Sequence, residues 1–258
     1  MNDEHRARKR FGQNFLHDPN VIDRILRAIN PQPGENLIEI GPGLGALTAP
    51  LLARCKELQV IELDRDVIPH LVEACGHSPG LKILQADALK VDFATFAAAG
   101  PLRLIGNLPY NISTPILFHL LKQGEVIRDM HFMLQKEVVD RMCAGAGEDA
   151  YGRLSVALAA RAEVSYLFHV GPGAFKPAPK VDSAIVRVVP RKPDFEIRDW
   201  ARFDRVVTTA FSQRRKTLSN GLKGLIGAEQ IRAAGIDPGI RAERLSAAEF
   251  ARLANLDV

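Results

Sequence analysis

Cysteine is scarce in this 258-residue chain: Cys55, Cys75 and Cys143 are the only three, with no C-x-x-C pair and no histidine at zinc-ligand spacing. That pattern excludes a disulfide scaffold and a recognisable metal site, and it reads as reduced thiols, buried or incidental. No apolar run reaches membrane-spanning length, and the charged stretch from Met1 to Arg10 has no apolar segment behind it to make a secretory leader. There is no internal repeat and no low-complexity segment. The expectation is a cytoplasmic protein without a membrane partner, and 47% apolar content is enough for a large core with a smaller appended domain. A strong charge of one sign is also missing, since the formal net charge is +4.

What the chain does have is a series of apolar runs that end in chemistry. Leu37-Ile38-Glu39-Ile40 is of strand length and is followed by Gly41-Pro42-Gly43-Leu44-Gly45, then by a stretch of helical composition over 46–53. Glycines at such a turn let the backbone approach a ligand where a side chain would collide. About twenty residues on, Val60-Ile61-Glu62 closes a second run with a carboxylate suited to two ribose hydroxyls. A third run, 81–87, ends in Asp87, which could accept from an adenine amino group. Any one acidic strand end can be an incidental cap; the ordered series points to a nucleoside-bearing ligand. The loop spacing is G-x-G-x-G, not the G-x-G-x-x-G that seats a pyrophosphate on a helix N-terminus, and no arginine cluster follows it. This favours S-adenosylmethionine over a dinucleotide.

A fourth apolar run, 102–106, leads into Asn107-Leu108-Pro109-Tyr110. The lone pair of adenine's amino nitrogen is delocalised into the ring. If the Asn107 side-chain oxygen and the Leu108 carbonyl accept its two hydrogens, the nitrogen can move toward tetrahedral geometry and aim that lone pair at a methyl. Pro109 fixes its own φ and biases Leu108 toward an extended conformation, and Tyr110 offers a face for the base. The tetrapeptide alone is also compatible with an ordinary Asn-x-Pro turn followed by a core tyrosine.

Six segments together carry a family resemblance: Gln13 to Asp18, Glu39 to Gly45, Val60 to Asp64, Gly106 to Thr114, Phe175 to Ser183 and Phe211 to Thr217. From about residue 11 to its end the chain resembles the bacterial small-subunit ribosomal RNA adenine N6,N6-dimethyltransferases, the KsgA (RsmA) family. The resemblance implies dimethylation of two adjacent adenosines in a hairpin loop near the 3′ end of 16S ribosomal RNA, within the small subunit or its precursor. It also implies S-adenosylmethionine as donor, no metal, a monomer and a part in subunit biogenesis. It assigns donor contacts to Asn14, Leu16, Gly41, Glu62, Asp87 and Asn107, and adds Phe175 as a second aromatic facing Tyr110 across the flipped base. Read alone, Phe175 in its Gly/Pro/Lys-rich setting is more naturally a loop anchor. Ala178 and Ser212 stand where many relatives are expected to have proline and asparagine.

Apolar runs over 36–40, 58–62, 81–85, 102–106 and 129–135, alternating with helical stretches, predict an α/β Rossmann-like methyltransferase sheet, with an antiparallel addition from 165–170 and 184–190. From about 193 the pattern changes to short amphipathic helices. The expected organisation is a basic arm over 1–12, a donor-binding catalytic domain over 13–190, and a small all-helical RNA-binding domain over 191–258. Residues 187–258 hold fourteen Lys and Arg against nine Asp and Glu, whereas 13–186 hold sixteen against nineteen. Basic residues attract phosphate, and Arg214, Arg215 and Lys216 form the patch expected to contact RNA.

Overall fold

The computed structural model describes residues 14–213 and 215–256. The expected basic arm over 1–12 and Arg214 lie outside the described residues.

In chain order the elements of the first part are β1 (Phe15–Leu16), α1 (Pro19–Ile29), β2 (Asn36–Ile40), α2 (Thr48–Cys55), β3 (Leu58–Glu62), α3 (Ile68–Ala74), β4 (Leu81–Gln85), β5 (Leu102–Asn107), α4 (Ser113–Leu121) and β6 (Ile127–Gln135). There follow α5 (Lys136–Cys143), α6 (Arg153–Ala159), β7 (Ala162–Val170), β8 (Phe175–Lys176) and β9 (Ser183–Pro190), then α7 (Trp200–Ser212), α8 (Leu218–Gly221), α9 (Ala228–Ala233) and α10 (Ala247–Ala254). Local chemistry sets several of these boundaries. Asp18 caps α1 by accepting from the Asn20 and Val21 amides at 2.8 and 3.2 Å, and Pro19 occupies a first-turn position where its missing N–H costs nothing.

Seven strands form one sheet in the order β4-β3-β2-β5-β6-β9-β7. β4 through β6 are mutually parallel, and β9 runs antiparallel to β6 with Gln135 opposite Ser183. The chain moves outward from β2 to β4, then returns to place β5 on the other side of β2. In open sheets of this kind such a reversal leaves a crevice at the carboxyl ends of the two strands. A separate two-stranded ribbon pairs Phe15 with Lys176 and Leu16 with Phe175.

The molecule divides into two compact units. One runs up to Val139 and resumes over Ser165–Pro190; the other comprises Asp140–Val164 and the chain from Arg191 onward. The sequence boundaries, which kept 13–190 together, are corrected for 140–164. The reason is packing: Tyr151, Val156 and Ala160 are buried in one apolar cluster with Phe203, Leu245 and Phe250. The Tyr151 hydroxyl donates to the Leu245 carbonyl at 2.7 Å, and Arg161 pairs with Asp204 at 2.7 Å. The sheet unit has its own cluster, in which Leu37, Leu51, Val60, Leu71 and Ile105 are buried together.

Candidate active site

Two adjacent strand ends make the floor of the site. β2 gives way to Gly41 and β5 ends at Asn107, and the close approach of these ends depends on Gly106. A Cβ at Gly106 would lie 2.5 Å from the Ile40 carbonyl oxygen, so a larger residue would push the strand ends apart. Gly41 and Gly43 have φ of 68° and 53°, in the left-handed region that side chains resist. The pocket above them is lined by Asn14, Phe15 and Leu16, by Glu39 and residues 40–44, by Glu62 and Leu63, by Asp87, and by residues 107–112. The structure thus brings Asn14, Leu16, Gly41, Glu62, Asp87 and the run from Asn107 to Tyr110 to one cavity.

The charge of that cavity is one-sided. Glu39, Glu62 and Asp87 line it, and none of the described lining residues is Lys, Arg or His. A pyrophosphate would find no cationic partner there, whereas a ligand bearing a sulfonium and an ammonium suits an acidic lining. Glu62 is 8% exposed; its two oxygens accept from the Gly43 and Asp64 amides at 3.3 and 2.8 Å. Burial raises its pKa against those backbone hydrogen bonds. A carboxylate has about four acceptor positions, so the Glu62 group keeps capacity for ribose hydroxyls. Asp87 accepts from the Leu89 amide at 3.0 Å with one oxygen, which fixes the carboxylate at the end of β4.

Glu39 was not singled out as a site residue by the sequence, where it reads as part of an apolar run. It is 1% exposed and accepts from the buried Thr48 hydroxyl at 2.7 Å. Burial, opposed by the Thr48 bond and assisted by the Glu62 charge, pushes its carboxyl up to about 7. The folded chain therefore keeps this proton through a window in which the unfolded chain, with an ordinary value of 4.5, has lost it. Stability falls as pH rises from the lower value to the upper and is then flat, by about 3 kcal/mol at most. Glu39→Gln should remove that slope, leaving the variant more stable than the parent at about pH 8 and similar at about pH 4. Denaturant unfolding across pH checks this; parallel curves for the two proteins would refute it.

Asn107 is held by its neighbours. Its side-chain nitrogen donates to the Asn14 carbonyl at 3.1 Å, which turns the amide oxygen to the other side. The Leu108 amide donates to the Met133 carbonyl at 3.2 Å, anchoring that peptide on β6. The Tyr110 hydroxyl lies 2.8 Å from the Ser183 hydroxyl, and the Tyr110 carbonyl accepts from Ser113 at 3.0 Å. Burial raises the Tyr110 phenol, with the Ser183 bond acting against it.

Phe175, expected from the resemblance as a second aromatic facing Tyr110 across the target base, does not line the donor cavity. It is 3% exposed and is buried with Leu16, Ile25, Met133 and Ile185. Successive strand residues point to opposite faces, and since Lys176 is exposed, Phe175 turns into the core. Arg215 and Lys216 are exposed in the turn after α7, in the helical unit. Among the described residues no His/Cys/Asp/Glu group could hold a metal, and no helix is long and apolar enough to cross a membrane.

Comparison with known proteins agrees with this chemistry. The family model for ribosomal RNA adenine dimethylase matches residues 4–257. The chain is 57% identical over 254 residues to the ribosomal RNA small subunit methyltransferase A of Pseudomonas aeruginosa, covering 98% of this chain and 95% of that one. It is 54% identical to the protein of the same name from Marinobacter nauticus, over 98% and 92%. Among solved structures it is similar to a dimethyladenosine transferase from Plasmodium falciparum, with a TM-score of 0.77, 25% identity and coverage of 93% and 95%. It is also similar to the 23S rRNA methyltransferase ErmE, with a TM-score of 0.73, 26% identity and coverage of 93% and 98%. An acidic cavity at the carboxyl ends of β2 and β5 thus has its counterpart in ancestry: the chain belongs to the ribosomal RNA adenine dimethylase family and is an S-adenosylmethionine-dependent rRNA adenine dimethyltransferase.

Proposed function

We propose that this enzyme dimethylates N6 of two adjacent adenosines in the hairpin loop near the 3′ end of 16S rRNA. It acts as a monomer in the cytoplasm, on the small subunit or its precursor, and so takes part in subunit biogenesis. The observation that carries the reading is the Asn107 amide, whose nitrogen is committed to Asn14 and whose oxygen is left for the target at the rim of a carboxylate-lined cavity. Relatives named for the small subunit, at more than half identity over nearly the whole chain, support the choice of RNA.

S-adenosylmethionine supplies a methyl on a sulfonium centre. Glu62 binds its ribose, Asp87 its adenine, and Asn14, Leu16 and Gly41 the rest of the molecule. The target adenosine must first leave its stack, which is cheapest for an exposed loop base. Tyr110 then receives its face, while the Asn107 oxygen and the Leu108 carbonyl accept the two amino hydrogens and hold the nitrogen in line for displacement. Pro109 keeps the Leu108 carbonyl in place. Phe175, behind Leu16, supports the strip that carries Asn14.

The helical unit, with Arg214, Arg215 and Lys216, holds the RNA through its phosphates. With three such contacts, raising salt from about 50 to about 200 mM should weaken ribosomal RNA binding by on the order of tenfold and donor binding far less. Equal loss of both would count against these residues. The discriminating experiment supplies labelled donor to unmodified small subunits, large subunits and DNA, and maps the product. Label in adjacent small-subunit adenosines is expected; label in large-subunit RNA or DNA alone would overturn the assignment.

A further inference from the structure

Tyr110 carries a group that stacking does not need. A phenylalanine would present the same face to a base, yet this side chain ends in a hydroxyl 2.8 Å from the Ser183 hydroxyl. Ser183 is completely buried, so water cannot substitute for it. It is also rigid: it opens β9, lies opposite Gln135 in register with β6, and follows a residue whose carbonyl accepts from the Lys136 amide at 2.8 Å. At its other end Tyr110 is fixed through its carbonyl by Ser113, which is buried at the start of α4. The ring is therefore pinned at its backbone and at its tip, leaving no freedom to tilt. Ser183 does not line the donor cavity.

We propose that Ser183 is a positioning residue for the methyl transfer, setting the tilt of Tyr110 and through it the plane of the target adenine. The inference rests on the reading of Tyr110 as the stacking face. In-line transfer tolerates little misplacement, and errors of about 1 Å far from the reacting atoms can cost on the order of a hundredfold. A ring that keeps its packing but loses its tether should cost less than that, with donor binding untouched.

The test is a double-mutant cycle on the full-length enzyme with unmodified small subunits, reading kcat and, separately, donor Kd. Ser183→Ala and Tyr110→Phe should each lower kcat by about tenfold, since each removes the same hydrogen bond. The combined variant should be no slower than either single one, and all three should bind donor like the parent. A residue that serves only the fold would impose the same loss in the Tyr110→Phe background as in the parent, and that result overturns the proposal. So does parental kcat in Ser183→Ala. Tyr110→Ala separates the two levels of inference. If it retains turnover, the stacking reading itself fails; if it loses turnover while Ser183→Ala does not, only the tether fails.

Discussion

Asn107→Ala should reduce kcat on small subunits by about a hundredfold to a thousandfold, the loss seen when one preorganised hydrogen-bonding group is taken from a reacting centre. The target nitrogen would lose the acceptor that, with the Leu108 carbonyl, draws its lone pair out of conjugation. Donor affinity should fall by about tenfold or less, because the bond lost on that side is a single neutral one, from the Asn107 amide to the Asn14 carbonyl at 3.1 Å. Folding should be intact, since β5 is held by ladders to β2 and β6 on both sides. Asn107→Asp is the informative companion. It keeps an acceptor for the target but places a second oxygen against the Asn14 carbonyl, so it should suffer in donor binding more than alanine does. Single-turnover methylation and donor titration separate these effects, and near-parental turnover of Asn107→Ala would remove the amide from the mechanism.

The largest stability effect is expected at the opposite end of the same strand. Arg103 is buried; it donates to Asp129 at 3.0 Å, to Glu35 at 2.6 Å and to the Ile29 carbonyl at 2.7 Å. Despite burial, the His131 ring and the Arg103 guanidinium hold the Asp129 carboxyl at about 2. Arg103→Ala takes from the buried Asp129 its closest cationic partner, and breaking a buried pair typically costs about 3 to 5 kcal/mol. In a chain of this size that is on the order of ten degrees in Tm. Arg103→Lys should recover little, because one ammonium cannot span three acceptors in a planar fork. Removing both charges, as Arg103→Met with Asp129→Leu, should be milder than Arg103→Ala alone. Thermal unfolding of the four proteins tests the set, and a single variant melting with the parent would show that the pair contributes nothing.

Arg103 also marks what the sequence could not say. The five parallel strands were legible because each is an apolar run closed by glycine, acid or amide, and the ends of β2, β3, β4 and β5 lead into the pocket wall. Their order across the sheet was not written in any one run. Nor were the buried charges: Arg103 and Glu39 interrupt apolar runs that they serve from within, and their partners sit on other elements, Asp129 on β6 for one and Thr48 on α2 for the other. Phe175 illustrates a third kind of blindness. Its composition context pointed to a loop, the family resemblance pointed to the target base, and its direction was decided by pairing with Leu16, some 160 residues away, by about the strand-alternation rule alone. Ser183 was visible only as the last residue of a motif, with nothing to connect it to Tyr110.

The two-part origin of the helical unit bears on how the chain can be made and cut. Asp140–Val164 is synthesised well before the helices it packs with, so Tyr151, Val156 and Ala160 must wait, apolar and unmatched, until α7 and α10 have left the ribosome. A fragment ending at Pro190 would carry that unmatched face permanently. Isolating the catalytic half as a well-behaved protein therefore requires two cuts and a bridging loop between Val139 and Ser165, not a single stop codon at the end of β9.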